Sequence, residues 1–287
     1  MTSVAVDTVQ LRTTDALYPE RLLDLPDPPR RLWARGDLSL LERPCVAIVG
    51  TRRATAYAER VTRDLAHVLA TAGACVVSGL ARGVDSVAHM GALEVDGATC
   101  AVLGTGLDVV YPKAHEALQQ RIGRQGLLLS ELEPANAAHG GSFPNRNRII
   151  AALSTVTIVV EAGVGSGALI TSRHAMDLGR VVAAVPGPID VPQSKGSNEL
   201  FLHGAHPITC MADALTLAGL MSPIRLADIP EGTPERRIWD ALGDGASDLD
   251  TLCTRSGLPA HACMAAVTAL EIRGLIECCL SGEIRRM

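Results

Sequence analysis

Between Cys45 and Ile208 the chain alternates short runs of apolar, mostly β-branched residues with longer amphipathic stretches. The runs occupy residues 45–50, 74–78, 99–103, 127–131, 155–161 and 181–185. They are apolar on both parities, the pattern of parallel strands covered on two faces rather than of half-exposed strands. Between them, residues 57–72, 85–95, 114–124, 147–153 and 168–178 carry apolar positions at helical spacing. Such alternation predicts a doubly wound α/β domain around a mostly parallel sheet.

Residues 1–41, with Tyr18-Pro19 and Asp27-Pro28-Pro29, read as an extended approach segment too short for another domain, which leaves residues 42–220 for the sheet domain. Residues 221–234 read as a Pro-containing linker, and residues 235–287 as a small helical module. In that module a helix around Ile238-Trp239 and a second around Leu249 come first, followed by a Ser256-Gly257-Leu258-Pro259 turn, a third helix over 260–273 and two short strands around Ser281-Gly282. That order is the layout of a winged helix.

In an open α/β sheet, ligands bind beyond the carboxyl ends of the strands, so the residues following each run are the ones to inspect. They are Gly50-Thr51-Arg52-Arg53, Gly79-Leu80-Ala81-Arg82-Gly83, Gly104-Thr105-Gly106 with Tyr111-Pro112-Lys113 beyond, Phe143-Pro144-Asn145-Arg146-Asn147-Arg148, Gly163-Val164-Gly165-Ser166-Gly167, and Pro186-Gly187 followed by Ser194-Lys195-Gly196. Glycine and cation recur together at one rim. Gly50-Thr51-Arg52 offers a strand-to-helix turn with free N–H groups, a hydroxyl and a guanidinium, and thus a phosphate cradle at a positive helix end. The plainer alternative has Thr51 capping a helix and Arg52 solvated. Residues 163–167 offer a second ring of amides, with Ser166 capping the next helix. Phe143 beside Asn145, Arg146, Asn147 and Arg148 suggests a base-stacking platform flanked by phosphate clamps, in a chain with only two Trp, three Tyr and two Phe. Its plainer alternative is a loop anchor with Arg148 in an ion pair.

Composition narrows the field. With 287 residues, 47% hydrophobic and 20% charged, the chain is globular rather than disordered. A net charge of −5 argues against non-specific coating of duplex DNA, yet only Lys113 and Lys195 are lysines, so the cation chemistry is mostly guanidinium. The longest apolar run, 149–160, contains Ser154, Thr155 and Thr157 and falls short of the ~20 residues of a membrane span. The N-terminal stretch carries Asp7, Asp15 and Glu20 with no signal-type apolar core, so a cytoplasmic location with no membrane association is expected. The eight cysteines form no C-x-x-C pair, which disfavours a zinc site, and disulfides are not expected in that compartment.

Known cofactor and catalytic patterns do not fit. The first turn lacks G-x-G-x-x-G and the second strand ends Ser78-Gly79 without an acid, against a dinucleotide site. No P-loop occurs, since Lys113 follows Pro112 and Lys195 follows Ser194. Ser78, Asp85 and His89 suggest helix capping and packing more than a hydrolytic triad, and His203 with His206 lacks further metal ligands. Catalytic residues, metal and cofactor are therefore expected to be absent.

The ordered set Val46-Ala47-Ile48-Val49-Gly50-Thr51-Arg52, Val77-Ser78-Gly79-Leu80-Ala81-Arg82-Gly83-Val84-Asp85-Ser86-x-Ala88-His89, Gly106-Leu107-Asp108-x-x-Tyr111-Pro112, Phe143-Pro144-x-Arg146-Asn147-Arg148-Ile149-Ile150-Ala151-x-Leu153-Ser154 and Ser166-Gly167-x-Leu169-Ile170-Thr171 closely resembles the DprA/Smf (DNA-processing protein A) family. The match continues through Pro186-Gly187 and Gly196-Ser197-Asn198-x-Leu200 and spans roughly residues 18–220. The resemblance implies an extended Rossmann-like domain that binds single-stranded DNA in a basic pocket, forms a homodimer, protects incoming DNA and helps load a RecA-type recombinase in natural transformation. By it, Arg52 sits at the family's phosphate-binding arginine, and Phe143, Arg146, Asn147 and Arg148 sit in its DNA-binding segment.

The expected nucleic-acid-binding set is Gly50, Thr51, Arg52, Arg53, Arg82, Phe143, Arg146, Asn147, Arg148, Ser166, Gly167 and Lys195. Two departures stand out. The helical N-terminal domain of many members is expected to be absent, and His139-Gly140-Gly141-Ser142 precedes the Phe where a lysine is often found. The second implies weaker binding or a shift of that duty to Lys195 or Arg53. The rival reading is a nucleoside-monophosphate phosphoribohydrolase of the Lonely-Guy type, faintly resembled by Glu161-Ala162-Gly163-Val164-Gly165-Ser166. Residues 168–171, however, hold no glutamate where its general acid–base carboxylate belongs.

Overall fold

Period-two alternation along the buried strands feeds two separate cores at once. In β3 (Cys45–Val49) every residue is buried: Cys45, Ala47 and Val49 join one apolar cluster, and Val46 and Ile48 join the other. The same division runs through β4 (Cys75–Ser78), β7 (Val156–Val159) and β8 (Val181–Ala184). A computed structural model describes residues 7–220, 229–243, 245, 247–272, 275–279 and 282–286. The chain divides into two compact units, one ending at Leu220 and one beginning at Met221.

The first unit is built on a nine-stranded sheet of order β1-β2-β6-β5-β4-β3-β7-β8-β9, completed by β1 (Thr8–Arg12), β2 (Arg31–Gly36), β5 (Ala98–Leu103), β6 (Leu127–Ser130) and β9 (His206–Pro207). Strands β3 to β9 are mutually parallel. β2 pairs antiparallel with β6, and β1 with β2, so the segment read as an extended approach is an antiparallel extension of the main sheet. Leu11, Leu32 and Ala34 hold it there by joining the core on one face.

Helices α1 (Ala56–Thr71) and α2 (Val84–Glu94) pack together on one face, against Val46, Ile48 and Val76. α3 (Glu116–Gln125) adds Ile122 to a smaller cluster with Leu93, Leu103 and Leu128. The opposite face is covered by α4 (Ser142–Leu153) and α5 (Gly167–Asp177). Short helices α6 (Lys195–Glu199) and α7 (Met211–Leu217) follow. The chain runs outward from β3 to β6, then returns to the other side of β3 for β7, which places a topological switch point beside β3.

α4 starts at Ser142, five residues ahead of the helical stretch read over 147–153, so Phe143 to Arg146 lie in its first turns rather than in a loop before it. Pro144 is tolerated there because the first-turn N–H groups have no helical acceptor.

The second unit contains α8 (Pro234–Leu242), α9 (Leu249–Ser256) and α10 (Ala260–Ile272), then an antiparallel pair, β10 (Ile276–Cys278) with β11 (Ile284–Arg286). Ile238, Leu242, Leu252, Val267, Leu270 and Ile284 form its core, and the arrangement is that of a winged helix. Most of the expected linker, residues 221–228, lies outside the described residues, as do Arg273 and Ser281. Among the described residues no helix is long and apolar enough to cross a membrane.

Candidate nucleic-acid interface

The parallel strands all present their carboxyl ends to one rim, where the loops after β3, β4, β5 and β7 meet the start of α4. Two cavities open there. One, of about 500 Å³, is lined by residues 49–53, Asp85, the start of α4 and residues 163–168, at the switch point. The other, of about 630 Å³, is lined by residues 79–82, 103–105 and 110–113. Arg52, Arg53, Ala81, Phe143 and Arg146 line both, so these five residues form the partition.

Phe143 is half-buried on the first turn of α4 and lies over Gly104, where a Cβ would stand 2.5 Å from its ring. The Arg52 guanidinium carbon lies 5.7 Å from the ring centroid, and the Tyr111 ring packs against it at 5.0 Å with an interplanar angle of 38°. Both distances fall within the range of favourable cation–π and tilted aromatic pairs. Tyr111 and Lys113 were not in the expected set. The rule that pointed to the other strand ends also covered Tyr111-Pro112-Lys113, which follows the run at 99–103.

The Gly50-Thr51-Arg52 turn differs from the expected cradle. α1 begins only at Ala56, capped by the Thr55 hydroxyl, so its positive end stands away from Arg52. The Thr51 N–H donates to the Glu161 carbonyl at 2.7 Å and the Arg53 N–H donates to Thr51 Oγ1 at 3.2 Å. Backbone donors in the turn are thus engaged in holding the loop, and Arg52 and Arg53 stand exposed as side-chain cations. Glu161 itself is buried, receiving the Thr55 N–H at 3.0 Å and the Thr55 hydroxyl at 2.9 Å. This ties the β7 loop to the β3 loop.

Gly83 takes a φ of +76° against Thr51, where any Cβ would strike the Thr51 carbonyl, and the Val84 N–H donates to that carbonyl at 3.2 Å. The β3 and β4 loops are locked by this contact. Across the switch point, Gly165 has a φ of +79° and Ser166 caps α5 through the Ala168 N–H. Gly167 begins that helix in open space.

Arg146, Asn147 and Arg148 are all buried. The Arg146 guanidinium donates to the Gly79 carbonyl at 2.7 Å and to the Val102 carbonyl, joining the ends of β4 and β5. It lies so close above Gly79 that a Cβ there would collide with it. Burial lowers its pKa to about 10, still far above neutral pH. Asp85, buried on the same wall and accepting from the Gly79 N–H at 3.2 Å, has its pKa raised by desolvation, with the Arg146 charge opposing the rise. Asn147 accepts from Arg146 Nε at 3.2 Å and donates to the Gly167 carbonyl at 3.1 Å, bracing α4 against α5. Arg148 turns away from both cavities and pairs with Glu131 at 2.7 Å. Lys195 is exposed at the start of α6 and lines neither cavity, whereas exposed Arg82 lines the second.

The family model for DNA recombination-mediator protein A matches residues 10–219, and that for the DprA winged helix domain matches residues 225–281. The chain belongs to the DprA family. Protein Smf of Escherichia coli strain K12 is 37% identical over 281 residues, which cover 93% of this chain and 75% of that protein. The crystal structure of DNA processing protein A from Streptococcus pneumoniae superposes with a TM-score of 0.70 at 41% identity, covering 73% of this chain and 74% of that one. DNA processing protein A from Helicobacter pylori, described for its single-stranded DNA binding mode, gives a TM-score of 0.67 at 36% identity, covering 75% of this chain and 97% of that one. As a DprA-family member, the chain carries its candidate interface wholly within residues 10–219, the part matched by the first family model.

Proposed function

We propose that this protein binds single-stranded DNA at the rim of the first unit, with phosphates at Arg52 and Arg53 and a base on Phe143. In this reading it acts as a homodimer in the cytoplasm, protects incoming strands and hands them to a RecA-type recombinase during transformation and recombination. The observation that carries the DNA reading is the half-buried Phe143 ring beneath the Arg52 guanidinium at 5.7 Å, flanked by the exposed cations Arg53 and Arg82. Stacking needs an unpaired base, and a sequence-tolerant single-strand site combines aromatic faces with a cationic groove. The H. pylori relative described for its single-stranded DNA binding supports the same assignment. The recombinase and dimer clauses rest on family resemblance.

In this proposal Arg146 and Asn147 position the partition from below, Arg148 stabilises α4 through Glu131, and Lys195 adds only a peripheral charge. A mobility shift with single-stranded and duplex oligonucleotides across a salt series tests the function. The expected result is single-strand preference, a loss of about tenfold in Arg52→Ala, and a fall of about 0.7 in the slope of log K against log salt. Arg180, paired with Asp24 at 2.5 Å and preceding β8 at the opposite rim, serves as the control. Equal binding of both DNA forms refutes the reading, and release of free base from AMP by the pure protein replaces it with the phosphoribohydrolase one.

A further inference from the structure

The second cavity has properties that the first does not share. Among the described residues no acidic side chain lines it, whereas the first contains Asp85. Its floor, at Gly79, Leu103 and Gly104, offers backbone and apolar surface, and Phe143 closes one side. Its volume of about 630 Å³ lies within the roughly 300–1,000 Å³ of small-ligand sites. Arg52, Arg53, Arg82 and Lys113 line it, all four exposed, and none of them is in an ion pair among the described residues.

Over this opening stands Tyr111, 51% exposed, with its ring against Phe143. A large exposed aromatic is informative only if it is held in place. Here the loop that carries it is fastened: the Gly106 N–H donates to the Asn136 carbonyl at 2.7 Å and the Asp108 N–H to the Pro134 carbonyl at 2.9 Å. The Thr105 hydroxyl donates to the Val109 carbonyl at 3.0 Å, and Arg35 pairs with Asp108 at 2.5 Å. Pro112 is buried next to Tyr111. An aromatic platform fixed this way loses little conformational freedom when a ligand stacks on it.

We propose that this cavity is a nucleotide subsite of its own. One base of a single strand stacks on Tyr111, its phosphate lies between Lys113 and Arg82, and the Phe143–Arg52 partition separates it from the neighbouring nucleotide at the switch point. Tyr111 and Lys113 are then binding residues, and the strand is read in two compartments split by Phe143. This inference rests on the single-stranded DNA reading above.

The test uses the full chain and a short oligothymidylate carrying one 2-aminopurine, with affinity, probe quenching and thermal midpoint measured together. Tyr111→Leu is expected to lower affinity about tenfold, the size of one base–aromatic stack, and to abolish quenching at one probe position while a neighbouring position stays quenched. Tyr111→Phe keeps affinity within about twofold. Lys113→Ala, an exposed change that leaves the fold intact, lowers the salt slope by about 0.7. If the wild type fails to bind the oligonucleotide, the function reading falls and the subsite with it. If the wild type binds and both Tyr111→Leu and Lys113→Ala match it, the subsite alone is refuted. Equal losses in Tyr111→Leu and Tyr111→Phe refute stacking as the role of Tyr111.

Discussion

Replacing Arg146 by Ala separates a positioning role from a DNA contact. The side chain is 6% exposed, donates to the Gly79 and Val102 carbonyls, and supplies the countercharge for buried Asp85. Its loss leaves two buried carbonyls without a donor, at about 1–3 kcal/mol each, or about 2–6 kcal/mol together. Water entering from the adjoining cavity would satisfy the freed carbonyls, which places the expected loss near the lower end, about 3 kcal/mol. With a urea dependence of about 3 kcal/mol per M for a unit of this size, the unfolding midpoint should fall by about 1 M. Under conditions where the variant is folded, its DNA affinity should be reduced through a shifted α4, with the salt slope unchanged. The reasoning is refuted if Arg146→Ala keeps its stability within about 0.5 kcal/mol while the salt slope falls by about 0.7, the signature of a lost phosphate contact.

Gly104→Ala places a Cβ 2.5 Å from the Phe143 ring. The half-buried ring should be displaced, lowering single-strand affinity about tenfold with the melting temperature nearly unchanged; wild-type affinity would show that Phe143 is not the platform. His89 donates from Nδ1 to Thr99 Oγ1 at 2.7 Å, since the Thr99 hydroxyl is itself spent on the Val76 carbonyl, and burial with the nearby Arg146 charge depresses its pKa to about 3. Because the unfolded chain takes up this proton near pH 6.5 and the folded one does not, stability from His89 is complete above that pH and is lost progressively as pH falls toward 3. At about 1.4 kcal/mol per pH unit, the loss by pH 5 is about 2 kcal/mol. His89→Asn should be flatter over that interval in urea titrations, and an identical slope would exclude the assignment. A chain ending at Leu220 should keep its single-strand affinity within about tenfold, or 1.4 kcal/mol, because α10 contains no Lys or Arg and exposes His261, Met264, Thr268 and Glu271. A larger drop would assign DNA contacts to the winged helix.

The parts of this protein readable along the chain are those that depend on burial of neighbouring residues. Short β-branched runs that are apolar on both parities and bounded by glycines read as strands covered on two faces, and β3, β4, β5, β6, β7 and β8 lie where those runs lie. The rim of the site was readable for the same reason, since parallel strands must present all their carboxyl ends together. Element starts at the site were less so. α1 begins within a residue of the stretch read from 57, but α4 begins at Ser142, five residues ahead of its reading, because its first-turn residues face loops and cavities and leave no apolar period to detect.

Only the tertiary structure decided where the charged groups point. Arg52 and Arg146 look alike as arginines expected at the same rim, yet one is exposed over Phe143 and the other is sealed against carbonyls 67 and 44 residues away in sequence. Glu131 likewise draws Arg148 out of the site, and Gly104 lets Phe143 settle beside Tyr111. A guanidinium goes to whichever acceptors the fold brings within reach, and those acceptors come from strands that the sequence keeps far apart.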